Sequence, residues 1–363
     1  MRSSIRFHYQ LAQPPFLLRV DREIPGNGIT AIYGGRGAGK SLLLRTMAGL
    51  EQPPDAFLEV NGEVWHDSEE GIFLPPQLRA VGYVPSGGAL FPHLHVGENL
   101  RYPLRWGRGE EAEMRSRYDE VIDHLELTQL LHLMPSALTP AQQLRVAIGR
   151  ALCRQPQLLL LDDPFAHLQP DAIAALTPLF QLLRDQQEFP VLLAASRLEQ
   201  LYPLADYLLL LEKGMVVEGG ECFSLLSRAD IPLAAEADAG ALIEGEVFEH
   251  DDEFFLTRIF FDGGELTLRR LRQEVGAMVR VRVHARDVSI ANKYPSPSSI
   301  LNILPAVVDT IVAQGVGVVM VRLLVGGVTP VLARISEKST LRLGLREGKR
   351  VYLQIKAVSI CGG

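Results

Sequence analysis

Gly34-Gly35-Arg36-Gly37-Ala38-Gly39-Lys40-Ser41 follows the apolar run Ile29-Thr30-Ala31-Ile32-Tyr33 and leads into Leu42-Leu43-Leu44-Arg45-Thr46-Met47. A strand, a G-x-x-x-x-G-K-[ST] loop and a helix in that order read as a phosphate loop. Its glycines let backbone N–H groups turn inward around a triphosphate, Lys40 reaches the β- and γ-phosphates, and Ser41 offers a hydroxyl to Mg²⁺. A bare glycine-rich turn would need neither the Lys nor the Ser. The candidate nucleotide ligands are therefore Gly34, Gly35, Arg36, Gly37, Ala38, Gly39, Lys40, Ser41 and Leu42.

Downstream, Leu158 to Leu161 followed by Asp162-Asp163-Pro164 reads as a buried parallel strand with carboxylates at its C-terminal end. Asp162 can hold Mg²⁺ through water opposite Ser41; the alternative is a capping Asp at a strand end. Val191 to Ala195 and Tyr207 to Leu211 repeat the apolar-run form, and Ala80 to Val84 is a shorter one. Together they predict an α/β P-loop core with ligands at strand C-termini. Phe57 to Arg79 alternates like strands, with Asn61-Gly62 as a hairpin signal, so a β-rich flap is expected beside the core. Glu110 to Leu133 has apolar residues at helical spacing, a helical subdomain. After Ala229, IPLAAEADAGALIEGE marks a linker, and Tyr294-Pro295-Ser296-Pro297-Ser298-Ser299 a second boundary. Strands are predicted at Glu244–Phe248, Phe254–Phe260, Leu266–Arg270, Val279–Val283, Val307–Ala313, Val318–Val325, Pro330–Ile335 and Val351–Val358. The tail thus reads as all-β, ending in a small barrel of the oligomer-binding type. The expected divisions are 1–232, 233–293 and 294–362.

The 363 residues are 47% hydrophobic and carry a formal charge of −7. That charge argues against a nucleic-acid surface, which needs clustered Lys and Arg. Cys153, Cys222 and Cys361 are odd in number and lack metal spacing, which suggests a reducing compartment and no disulfide framework. The N-terminus has no apolar signal core and no stretch approaches 18 apolar residues, so a soluble chain with at most a peripheral membrane role is expected.

The runs RVAIGRAL (Arg145–Leu152), just before LLDDP, and GGALFPHLHVGENLRYPL (Gly87–Leu104) closely resemble the ATP-binding subunits of ABC transporters. RVHARDVSIA (Arg282–Ala291), SSILNILPA (Ser298–Ala306), LLVGG (Leu323–Gly327), LARIS (Leu332–Ser336) and VYLQIKAVSI (Val351–Ile360) look like the molybdate-binding Mop domain that ends molybdate importer ATPase subunits. The resemblance implies an ABC-type ATPase that pairs as a homodimer and sandwiches two MgATP between phosphate loop and opposing signature loop. It implies work with an integral-membrane permease, and indirectly a periplasmic oxyanion-binding protein, at the cytoplasmic face of the inner membrane. Phe91-Pro92-His93-Leu94 would contact the permease.

Several family positions are altered. The signature LSGGQ is Leu138-Thr139-Pro140-Ala141-Gln142. Thr139 keeps a hydroxyl and, with Gln142, remains a candidate for the partner's ATP, and Thr-Pro is a good helix start. Pro140, however, has no N–H to donate and Ala141 adds a Cβ, so a weakened sandwich is expected. Tyr-Val-Phe-Gln is Tyr83-Val84-Pro85-Ser86, the switch His is Ser196, and the Asp after the carboxylate strand is Gln169; His167 reads as an exposed loop residue. The usual catalytic Glu is Asp163, a methylene shorter; Asp163 and Lys40 are the candidate catalytic residues. In the tail, the resemblance nominates Ser299, Arg334 and Lys356 for oxyanion binding; their alternative is a turn residue and two solvated strand charges. The phosphate and Mg²⁺ ligands are thus intact while the coupling positions differ. Two readings follow: an importer ATPase subunit, or a nucleotide-binding regulatory module with impaired hydrolysis and an oxyanion-sensing tail. An ABC-type DNA-repair ATPase is disfavoured by the acidic charge.

Overall fold

The computed structural model describes residues 3–106, 111–166, 168–186, 189–296 and 298–360. Glu110, His167, Pro297 and Cys361, named above, lie outside the described residues. The chain forms two compact units that divide at Gly220/Glu221.

The first unit opens with β1 (Ser4–Gln13) and β2 (Phe16–Pro25), antiparallel and twice the length of β3 (Ile29–Tyr33). The loop then feeds α1 (Lys40–Met47). The flap is β4 (Asp55–Val60), β5 (Glu63–Asp67) and β6 (Ile72–Phe73). Val60 pairs with Glu63, and Asn61 (φ 49°) and Gly62 (φ 90°) make the two-residue turn that such positive angles define. β7 (Val81–Val84) leads to the helical part: α2 (Val96–Arg101), α3 (Glu111–His124) and α4 (Pro140–Leu152). β8 (Leu158–Asp162), α5 (Pro170–Gln186), β9 (Val191–Ala195), β10 (Tyr207–Glu212) and β11 (Met215–Glu221) complete it.

Among the described residues these strands form one sheet in the order β6-β5-β4-β1-β2-β11-β10-β3-β9-β8-β7. The run β10-β3-β9-β8-β7 is parallel. Parallel strands covered on both faces read as unbroken apolar runs, and every residue of β8 and β9 is buried. Because β3, β8 and β9 are adjacent, their C-terminal ends deliver the phosphate loop, Asp162-Asp163 and Ser196 to one crevice. The core beneath includes Leu43, Leu44 and Met47 of α1 with Leu160, Leu192 and Leu209.

The second unit contains α6 (Cys222–Leu226), β12 (Gly240–Asp251), β13 (Leu256–Phe261), β14 (Gly264–Arg269) and β15 (Met278–His284). It continues with β16 (Val288–Ala291), β17 (Asn302–Ala313), β18 (Val318–Val325), β19 (Thr329–Ser336), α7 (Glu337–Leu343), β20 (Arg350–Ile355) and β21 (Ser359–Ile360). Its sheets run β14-β13-β12-β15-β21 and β16-β20-β17-β18-β19. Ile259 and Val281 of the first share one core with Leu323, Val331 and Leu353 of the second. The expected cut near 293 therefore falls inside a single packed unit, because the Pro-Ser-rich stretch is a connection between strands of one core. The Asn302 side chain closes the open edge of β14: its Oδ1 accepts from Thr267 N at 2.7 Å and its Nδ2 donates to Thr267 O at 2.9 Å.

Candidate functional site

The phosphate loop is shaped by two close approaches. A Cβ at Gly34 would sit 2.3 Å from Leu211 O, and Gly39 holds φ 104° with Phe16 packed under it, where a Cβ would meet Phe16 Cζ at 2.8 Å. Ala38 N donates to Gly35 O at 3.2 Å, and Gly214 N donates to Ala38 O at 2.9 Å, which ties the loop to the β10–β11 turn. Ideal Cβ atoms at Gly35 and Gly37 would meet nothing within 4 Å, so the mouth of the loop opens away from protein atoms; Arg36 between them is exposed. The first-turn amides of Lys40, Ser41 and Leu42 have no intrahelical acceptor by helix geometry, so they supply the donors an anion needs.

Lys40 Nζ donates to Gly34 O (2.6 Å), Gly35 O (3.1 Å) and Ser196 Oγ (3.0 Å). Ser41 Oγ donates to Asp162 Oδ1 at 2.9 Å, and Tyr83 OH donates to Asp162 Oδ2 at 3.3 Å. Ser196 Oγ donates to Asp163 Oδ2 at 3.3 Å. The loop, the carboxylate strand and the residue after β9 are therefore one hydrogen-bonded cluster. Burial pushes the Asp162 carboxyl up from its ordinary range, against the bonds from Ser41 and Tyr83. Burial also lowers Lys40, with Asp163 and Asp162 opposing. A buried carboxylate whose charge is under-compensated, beside a serine hydroxyl, is a hard-oxygen pair that fits Mg²⁺. Among the described residues no three His, Cys, Asp or Glu side chains cluster as a protein-only metal cage.

Asp163 occupies the left-handed region at φ 46°, its N–H donating to Ala194 O at 2.9 Å. Non-glycine residues adopt that region at a cost, so the turn is held by its surroundings. Ser86 and Gln169 are exposed, and no hydrogen bond among the described residues links either side chain to the loop.

Thr139 and Gln142 form a reciprocal cap on α4: Thr139 Oγ1 accepts from Gln142 N at 3.3 Å, and Gln142 Oε1 accepts from Thr139 N at 2.9 Å. Pro140 stands at the first helical position, where its missing N–H costs the helix nothing. Within one chain these residues make no described bond to the phosphate loop.

Residues 88–94 are pinned by side chains that motif reading did not single out. Arg150 Nη2 donates to Ala89 O at 2.9 Å, with its guanidinium 4.9 Å from the centre of the Phe91 ring. Asn99 Oδ1 accepts from Phe91 N at 2.8 Å, while its Nδ2 donates to Leu94 O at 2.9 Å. Pro92 and His93 are left exposed at the surface. Tyr83 was also missed as an Asp162 partner; the signal was its place on a short apolar run that pairs in parallel with β8.

In the tail, Arg334 is already committed: Nη2 donates to Ala234 O at 2.8 Å and to Glu236 O. Ser299 and Lys356 are exposed, and no described hydrogen bond joins them to each other or to Arg334. Cys153 and Cys222 are buried thiols, and burial pushes Cys153 up to about 12, which makes it unreactive.

Residues 17–166 match the ABC transporter family and residues 298–361 match the TOBE domain. Molybdenum import ATP-binding protein ModC 1 of Azotobacter vinelandii is 41% identical over 359 residues, covering 99% of each chain. The ModC protein of Albidiferax ferrireducens is 41% identical over 360 residues, 99% of this chain and 97% of the relative. Among solved structures, cbiO1 from Clostridium perfringens, part of the ABC transporter complex cbiONQ, superposes with TM-score 0.55 at 20% identity over 63% of this chain and 93% of that one. The dimeric ATP-binding cassette MJ0796 bound to ADP and Pi superposes with TM-score 0.50 at 23% identity over 60% and 98%. These two likenesses concern the fold.

Proposed function

The chain belongs to the molybdenum import ATP-binding proteins of ABC transporters, and from that we propose that it binds MgATP between two copies of itself and couples hydrolysis to oxyanion import through a membrane permease. The observation that carries this reading is the 2.9 Å bond from Ser41 Oγ to Asp162 Oδ1, which closes phosphate loop and carboxylate strand around one place for a metal–triphosphate.

Each residue has a stated task. The first-turn amides and the open glycine rim receive the phosphates, and Lys40 exchanges its bonds to Gly34 O and Gly35 O for the β- and γ-phosphate oxygens. Ser41 and Asp162 would hold Mg²⁺, which would neutralise charge building on the phosphate oxygens. Asp163 is the carboxylate nearest the attacking water. Thr139 at the capped start of α4 presents its hydroxyl to the ATP of the second copy. Phe91 to Leu94, fixed by Asn99 and Arg150, meets the permease at the cytoplasmic face of the inner membrane, with a periplasmic oxyanion-binding protein delivering cargo on the far side. At the tail, Ser299 and Lys356 are the remaining candidates for oxyanion contact between two copies, Arg334 being spent on backbone carbonyls.

The test is complementation: the gene is expressed in a bacterium whose own molybdenum import ATP-binding subunit is deleted, together with its cognate permease, and molybdenum uptake is followed. Uptake that returns with the wild type and fails with Lys40→Ala is expected. No uptake, with the complex assembled and ATP bound, would remove the import reading in favour of a regulatory module.

A further inference from the structure

We infer that Ser196 relays the proton of the attacking water to Asp163, an inference that deepens the ATPase reading above and rests on it. Asp163 is one methylene shorter than the usual Glu, and a positioning error of about 1 Å is enough to slow an enzyme severely. The structure shows what lies across that gap. The Asp163 main chain is tied to β9 through Ala194 O, its φ is 46°, and its carboxylate reaches the Ser196 hydroxyl at 3.3 Å. Ser196 is the residue immediately after β9, so the same strand end holds both groups. The hydroxyl is used twice, donating to Asp163 Oδ2 and accepting from Lys40 Nζ at 3.0 Å.

Lys40 is the group that turns to the triphosphate, and when it does, Ser196 Oγ loses the donor on its phosphate side while its O–H still points at Asp163. The vacated lone pair then accepts from a water beside the γ-phosphate. In the step, the water oxygen bonds to the γ-phosphorus as the bond to the β,γ-bridging oxygen breaks, and ADP leaves with that electron pair. One water proton passes to Ser196 Oγ as the serine's own proton passes to Asp163 Oδ2; the second stays on the phosphate. Asp163 releases its proton to solvent and Ser196 ends unchanged. A hydroxyl at this position therefore lengthens the carboxylate, and the pair Asp163–Ser196 does together what a longer acid does alone.

The full chain tests this through ATP turnover and, separately, ATP affinity by calorimetry. Ser196→Ala is expected to lower kcat by about 100-fold or more, the usual worth of a proton-transfer group, with ATP affinity within about threefold. Ser196→Thr, which keeps the hydroxyl, retains turnover. Asp163→Glu placed in the Ser196→Ala chain regains at least about tenfold, because the longer acid reaches the water directly. A proton inventory in mixed H₂O and D₂O curves for the wild type and becomes linear in that double variant. Ser196→Ala turnover close to wild type overturns the relay. So does a loss that lies in ATP affinity instead of kcat, which would make the hydroxyl a tether for Lys40, and so does a double variant that binds ATP yet stays as slow as Ser196→Ala. A wild-type chain that binds ATP without hydrolysing it removes the ATPase reading itself, an outcome distinct from normal turnover that ignores Ser196.

Discussion

Arg79 should be among the most costly single side chains to remove from the first unit. It is fully buried, and its guanidinium donates to Met47 O at 2.6 Å, Leu74 O at 2.6 Å, Thr46 O at 3.3 Å and Trp65 O at 3.5 Å. Two of those carbonyls end α1, so a cation sits where the helix dipole is negative, at the opposite end of the helix from Lys40. The others belong to the flap. Arg79→Met keeps volume and apolar stem but removes the donors. The two short bonds to a charged group are worth about 1.5–3 kcal/mol each, and the carbonyls left behind are desolvated without partners. Relief of the burial that already lowers the Arg79 pKa offsets part of this, leaving a net loss of about 3–5 kcal/mol, the usual result of breaking a buried charged network. For a unit of this size about 2–4 °C is lost per kcal/mol, so its midpoint should fall by roughly 6–20 °C. Scanning calorimetry of the full chain reads this in the transition that MgATP displaces upward, and ATP affinity should weaken because α1 is anchored at one end only. A midpoint within about 2 °C of wild type, on that same scale, would refute the view that Arg79 braces the phosphate-loop helix.

Three further outcomes follow from the same structure. Burial raises the folded Asp162 carboxyl above its ordinary 3.8, so the folded chain holds that proton more tightly than the unfolded one; without Mg²⁺ this group's contribution to stability is therefore fully present below the unfolded value and is lost as pH rises through the folded pKa. Urea midpoints across pH 4–7 should show this slope for the wild type, and Asp162→Asn should flatten it while abolishing the stabilisation that Mg²⁺ adds to bound ATP. Pro140→Gly with Ala141→Gly should weaken α4 locally by roughly 1 kcal/mol yet restore the amide donor at 140 and remove the Cβ at 141, so sedimentation with MgATP should show a larger dimer fraction; an unchanged fraction would count against these two residues as the weak point of the sandwich. Asn302→Leu strips two bonds from the β14 edge and should cost the second unit about 2 kcal/mol, read as a lower urea midpoint of that unit with ATP affinity preserved.

Sequence reading carried furthest where local chemistry and topology coincide. The phosphate loop, β8, β9 and β10 are each a short apolar run with punctuation, and a parallel buried sheet demands that form. The Asn61-Gly62 turn was legible because its backbone angles admit few residues. Arg79 and Arg150 were not legible, since each acts on backbone carbonyls far away in the chain, and Asn99, whose partners Phe91 and Leu94 are near in the chain, was not legible because nothing in a motif encodes an acceptor. The Arg334 contacts were hidden for the same reason: nothing in its strand position shows that Ala234 O and Glu236 O are brought to its Nη2. At the second boundary the TOBE match begins at residue 298 while strands on both sides of it share one core, because a Pro-Ser-rich stretch looks alike whether it separates two cores or crosses one.

The altered positions divide by where they lie, and that division bears on what their alteration does. Ser86 and Gln169 are exposed, so their cost to the fold is small. Thr139 and Gln142 spend their polar groups on each other. Asp163 and Ser196 are different, because they bond to each other and, through Ser196, to the one lysine that nucleotide binding must move. A longer acid would reach the water without the serine, whereas the short acid needs it, so the two changes at the centre of the site are best understood as one: Ser196 is dispensable beside a Glu and indispensable beside Asp163.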